Sequence, residues 1–211
     1  MQSGTSRESI RDSADPDMDA FPADGRYEEL LDVVAGLLAE RGYDGFRMSE
    51  VAERARVSYS TIYKAYPTRD SLIAGAVGQW LVREVFPRIE HAEPDSLTGF
   101  LETLLQAMFE PLENAPWMAE ICHRVFSGQS GAALELQHNI VVESAARPLF
   151  DCLDSAYRDD LALILSQLFS SLMAQVATGA RSVGEAHDLM RSAVQRLTAD
   201  NTPFLGNATR T

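Results

Sequence analysis

Tyr59, Ser60, Thr61, Tyr63 and Lys64 fall between positions 59 and 64, and their types suit contact with a polyanion. Hydroxyls and an ammonium group can meet phosphate oxygens or base edges. Arg47 and Arg69 flank the run and can neutralise phosphates on either side. The chain as a whole argues the other way: 18 Lys and Arg against 31 Asp and Glu give −13 over 211 residues, a balance that repels nucleic acid and anionic membranes unless positive charge is gathered somewhere. It is gathered here. Arg47, Arg54, Arg56, Lys64 and Arg69 face only Glu50 and Glu53, so this window stands at +3.

To act together, these side chains must share one face of a helix held by its neighbours. Tyr27, Leu30, Leu31, Val34 and Leu38 recur at intervals of three and four, which predicts a first helix from Arg26 to a stop at Gly42. A second, short helix is expected near 48–55, with Val51 and Ala52 inward. Arg56-Val57-Ser58 then supplies a tight turn in which the Ser58 hydroxyl caps a third helix, about 58–65. Only Ile62 in it is strongly apolar, so one side packs and the polar side chains remain available. Thr68 caps a fourth helix running to about Pro87, with Asp70 in its first turn and a stripe from Leu72 to Val85. Two short helices joined by a three-residue turn and braced by a longer one make a helix-turn-helix, the geometry that lays one helix in the DNA major groove. A tightly joined helix pair with a merely solvated face is the plainer alternative.

The residues from Met48 to Leu72 resemble the DNA-binding segment of tetracycline-repressor-type (TetR family) regulators. The likeness rests on Val51-Ala52, Ala55-Arg56-Val57-Ser58, the small polar triplet that follows, Ile62-Tyr63, an aromatic at Tyr66, Thr68-Arg69 and Leu72. It implies a homodimeric, ligand-responsive transcriptional regulator, usually a repressor; a symmetric dimer is expected to bind a roughly palindromic double-stranded operator, and two cysteines with no basic, apolar N-terminal start make a reducing cytoplasm the expected compartment. By position, Tyr59, Ser60, Thr61 and Lys64 look like the face presented to DNA, Tyr63 like a phosphate ligand, and Arg69 like a second one at the start of the fourth helix. The chain departs from the family twice. Arg47 stands where Thr is usual, so the capping box with Glu50 is missing; Ser49 caps a helix starting slightly later, or Arg47 reaches phosphate instead. Arg56 replaces the turn glycine: either it is held in the left-handed region at a cost of about 1 kcal/mol, or the turn differs, and its charge has solvent as a plainer destination.

Further helices are expected at about 96–113, 116–126, 131–154, 157–179 and 182–198, and strand-like alternation is hard to find. The fold class is therefore all-α. Residues 1–25, rich in Asp, read as a disordered acidic arm; 26–70 as the helix-turn-helix domain; 71–205 as a helical effector-binding and dimerisation domain; 206–211 as a tail. Trp80, Phe109, Trp117, Met118, Cys122, Phe126, Phe169 and Met173 are candidates for a pocket that takes a small hydrophobic effector, although aromatic and Met stripes more often form ordinary core. No dense set of charged inward positions argues for a highly ionic effector; His123 and Gln175 could orient a polar group.

Leu161, Leu165, Leu168, Leu172, Met190, Val194 and Leu197 are candidates for a homodimer interface, with burial inside one subunit as the alternative. Residues 161–180 carry no charge, but six Ser, Thr and Gln side chains argue against a membrane span and for a helix covered by protein on most of its sides. Cys122 and Cys152 have no zinc-ligand spacing, the four His are scattered, and no catalytic motif occurs, so neither metal, cofactor nor catalysis is expected. A helical interaction or redox-sensing protein without DNA binding is the competing reading.

Overall fold

The computed structural model describes residues 25–90 and 95–199; the expected acidic arm, apart from Gly25, and the tail lie outside them. The described residues form helices and no β-strand. Helix α1 (Gly25–Gly45) is interrupted at Gly42, whose φ of 68° is the left-handed conformation that a glycine adopts without a Cβ penalty. Leu30, Leu31, Val34, Leu37 and Leu38 bury its inner face. Helices α2 (Met48–Ala55) and α3 (Tyr59–Ala65) follow, then α4 (Arg69–Trp80), whose capping Thr68 accepts from Ser71 N at 2.9 Å.

The helix of α4 does not end at Pro87, as expected from the sequence. It runs through a π turn at Leu81–Val85 into α5 (Phe86–Glu90). A proline inside a helix has no N–H to donate and crowds the carbonyl four residues back. The π turn immediately before it, closed by Phe86 N donating to Leu81 O, widens the helix where that conflict arises.

Helices α6 (Leu97–Asn114), α7 (Pro116–Phe126), α8 (Ala132–Phe150), α9 (Ser155–Ala177) and α10 (Val183–Thr198) complete the fold. Helix α8 is shorter than its apolar pattern suggested, because Asp154 caps α9 by accepting from Tyr157 N at 3.1 Å and the chain must turn before it. One apolar core runs through the described residues: α1 packs on α4, α2 and α7, α6 packs on α10, and α9 packs on α7 and α10. Close approach fixes two joints. A Cβ at Gly131 would lie 2.4 Å from Val125 O, and one at Gly75 would lie 2.7 Å from the ring of Tyr66. Tyr66 is buried directly after α3, so Gly75 seats the end of α3 against α4.

Candidate nucleic-acid interface

Helix α3 is short but held at both ends. Ser58 Oγ accepts from Thr61 N at 3.2 Å, satisfying one free donor of the first turn. Ile62 is fully buried beneath the helix and Tyr66 is buried just beyond it, an anchor of one or two side chains of the kind that sets a helix without covering it. The remaining face is open: Ser58, Tyr59, Ser60, Thr61, Tyr63 and Lys64 are all exposed. Ser58 Oγ lies 2.9 Å from both Ser60 Oγ and Thr61 Oγ1, and the rings of Tyr59 and Tyr63 stack at 6.5 Å and 17°.

The turn before α3 adopts the strained solution. Arg56 has φ 54° and ψ 40°, the left-handed cap of α2, and its N–H closes on Glu53 O at 3.3 Å while Val57 N reaches Ala52 O at 3.1 Å. Of the two alternatives for this turn, an arginine therefore holds the left-handed position. Helix α2 starts at Met48 with no side-chain cap, so Ser49 does not cap it, and Arg47 at its N-cap is exposed.

Fewer cations are free than the sequence count suggested. Arg54 is held by Glu40 in a two-pronged pair, both contacts at 2.7 Å, and the partnership lowers the Glu40 pKa and raises that of Arg54. Arg69, the expected phosphate ligand, is turned inward. Its Nε donates to Phe46 O at 3.4 Å and its Nη2 to Tyr43 O, its guanidinium lies 4.6 Å from the Tyr43 ring centre, and Nη1 meets Asp70 at 3.2 Å. Arg69 thus ties the α1–α2 connection to the start of α4. Burial, followed by the hydrogen bond to Asp70, raises the Tyr43 pKa, so this staple keeps a neutral phenol. Arg47, Arg56 and Lys64 remain exposed without an ion pair among the described residues of this region.

Residues 30–76 match the model of the bacterial regulatory proteins of the tetR family, the stretch that holds α2, the turn, α3 and the helices bracing them. The tetR-family match lies on this helix-turn-helix stretch. An HTH-type transcriptional regulator of Mycobacterium tuberculosis is 40% identical over 63 residues, which are 30% of this chain and 31% of that protein. The HTH-type transcriptional repressor KstR of Rhodococcus jostii is 22% identical over 180 residues, 84% of each chain. Among solved structures, a TetR transcriptional regulator from Rhodococcus sp. RHA1 superposes with a TM-score of 0.66 at 20% identity, over 82% of this chain and 95% of that one. The chain thus spans less than a third of the length of the mycobacterial regulator it matches, and shares the fold of the solved regulator over most of its own length.

Beyond the domain that carries the family match, a cavity of about 830 Å³ opens among the α4–α5 helix, α6, α7, α8 and α9. Of the candidate pocket residues, Trp80, Cys122, Phe126, Phe169 and Met173 line it. Phe109 and Met118 do not: both are fully buried core, Phe109 stacked on His187 at 4.9 Å and edge-on to Phe169 at 5.7 Å. Trp117 is partly buried and also off the cavity. Leu104, Met108 and Val142 take their place, and the α8 wall adds Glu135, His138, Asn139, Glu143 and Arg147. Such polar positions read as solvent-facing in a sequence, so the polar side of the cavity went unseen. His123 lines the cavity and Gln175 does not. Burial pushes the Cys122 thiol up to about 12, which keeps it protonated and unreactive at neutral pH. Among the described residues, no group of three or more His, Cys, Asp and Glu could hold a metal ion.

The expected dimer residues divide. Leu161, Leu172, Met190 and Val194 are buried within the subunit, and Leu165, Leu168 and Leu197 are partly buried against its core. The outward apolar side chains are instead Leu163 (60% exposed), Ile164 (48%) and Leu189 (42%). Helix α9 is long and apolar enough to cross a membrane by length and composition alone, yet only 17% of that window is buried in the subunit. One side of it is covered, not most, because its apolar pattern winds around the helix while α7 and α10 meet a single flank.

Proposed function

We propose that the chain is a transcriptional repressor that binds a roughly palindromic DNA operator as a cytoplasmic homodimer and responds to a small, mainly apolar effector. It acts without enzymatic activity. The observation that carries this reading is the capped, single-anchor helix α3, whose whole outer face is polar or aromatic and uncovered. Base-edge contacts fall to Tyr59, Ser60, Thr61 and Lys64, phosphate contacts to Tyr63, Arg47 and Arg56; Arg69 holds the domain together instead. KstR, the relative matched over 84% of each chain, is named as a repressor, which supports the sign of the regulation.

The second copy covers α9 and α10 through Leu163, Ile164 and Leu189. A face of this kind, on a helix otherwise interrupted by Ser166, Gln167, Ser170 and Ser171, suits a protein partner rather than lipid, since polar side chains in hydrocarbon are costly. Two-fold symmetry then presents two α3 helices to half-sites about one DNA turn apart or a multiple of it.

The test is to incubate the purified chain with fragmented genomic DNA of its source, sequence what is retained, and sediment the protein alone. Recovery of a symmetric motif by a dimer that Leu163→Glu with Ile164→Glu converts to monomer is the expected result. A wild type that is monomeric at micromolar concentration and retains no motif contradicts the reading.

A further inference from the structure

Resting on the DNA-binding reading above, we infer that Tyr59 reads a thymine through its C5-methyl group, so that each operator half-site carries a thymine opposite the start of α3. In the major groove guanine offers two acceptors best met by Arg or Lys, adenine an acceptor and donor met by Asn or Gln, and cytosine a donor met by Asp or Glu. The thymine methyl is the apolar group on that edge. From Ser58 to Tyr66 the chain contains no Arg, Asn, Gln, Asp or Glu. Lys64 is the single charged group, at the far end of α3. The hydroxyls at the near end are turned on one another, Ser58 Oγ lying 2.9 Å from both Ser60 Oγ and Thr61 Oγ1 and also accepting from Thr61 N.

An aromatic surface remains. Tyr59 is the first residue of α3, in the part of a recognition helix that meets base edges. Tyr59 is 47% exposed, and its ring is backed by that of Tyr63 at 6.5 Å and 17°. The stack fixes the ring before DNA arrives, so little side-chain freedom is lost on contact. Tyr63 keeps its hydroxyl for phosphate while its ring braces Tyr59. An apolar ring wall held at the helix start, with no long polar side chain beside it to read a purine, matches a methyl better than a hydrogen-bonding edge.

Uracil differs from thymine only by that methyl, so the test needs no change in base pairing. Duplexes would first be selected from a random pool by the full chain, and the thymines of the recovered half-site replaced one at a time by uracil in fluorescence-anisotropy titrations. One replacement is expected to weaken wild-type binding about fourfold per half-site, the loss appropriate to one buried methyl-sized group. Tyr59→Phe should retain that sensitivity. Tyr59→Ala should bind the thymine duplex more weakly and lose the sensitivity, the mark of a direct pair in a double-mutant cycle. Selected duplexes that tolerate uracil everywhere, or that weaken equally in wild type and Tyr59→Ala, overturn the thymine assignment and leave DNA binding standing. A pool from which nothing is selected overturns the DNA-binding reading and this inference with it.

Discussion

Arg124 on α7 grips Asp44 at the end of α1, Nη2 to Oδ2 at 3.1 Å and Nη1 to Oδ1 at 3.3 Å, with its guanidinium 5.1 Å from the ring centre of the neighbouring Tyr43. The same Tyr43 gives its carbonyl to Arg69 and its hydroxyl to Asp70, 2.9 Å away, at the foot of α4. On the other side, Cys122, His123 and Phe126 of α7 line the cavity. Helix α7 therefore touches both the cavity and the α1–α2 connection, and if the cavity takes a ligand as proposed, this exposed ion pair is one of the contacts through which a displacement of α7 reaches that connection.

Arg124→Ala should separate stability from coupling. Exposed pairs contribute about 1 kcal/mol or less, so urea melts of the variant should shift little. The ratio of operator affinities with and without a cavity-binding compound, which measures coupling between the two sites, should fall toward one. A variant whose ratio matches wild type would remove Arg124 from the route.

Arg69 and Arg47 should part company in salt titrations. Loss of the Arg69 carbonyl and aromatic contacts is expected to destabilise the fold by about 1–3 kcal/mol while leaving the dependence of DNA affinity on salt unchanged. Arg47→Ala should do the reverse, leaving melts alone and lowering the slope by about one phosphate per subunit. A lowered slope in Arg69→Ala would return it to the phosphate contacts.

His138 lines the cavity and lies 6.3 Å from the Phe86 ring, tilted to it. Burial lowers its pKa below the ordinary 6.5, and Glu135 opposes the shift weakly. The folded state thus prefers the neutral ring, the unfolded chain takes up the proton first, and stability falls as pH drops below about 6.5. Melting temperatures between pH 7.5 and 5 should decline less steeply for His138→Phe than for wild type. Parallel declines would mean that His138 protonates as readily in the folded chain as in the unfolded one.

The local code of the DNA-binding domain was legible because it is local. Ser58, Thr68 and Gly42 act on backbone within three or four residues of themselves, so the break in α1 and the starts of α3 and α4 follow from spacing. Arg69 was misplaced because its partners, the carbonyls of Tyr43 and Phe46, are 26 and 23 residues away and are backbone atoms that a sequence does not display. Leu172 and Leu163 both lie on an apolar helix, and only the packing of α7 and α10 decides that the first is buried and the second exposed. Pro87 marked a disturbance correctly, but a π turn absorbed it instead of ending the helix.

The most direct test of the central claim, that the outer face of α3 binds DNA, is fluorescence anisotropy on a selected duplex and a scrambled one at several salt concentrations. The comparison is between wild type and Arg47→Ala/Tyr63→Phe/Lys64→Ala, three exposed positions whose loss should leave the fold intact. The variant is expected to melt like wild type, bind both duplexes more weakly, and show a shallower salt dependence. Unchanged affinity in a folded variant would contradict it.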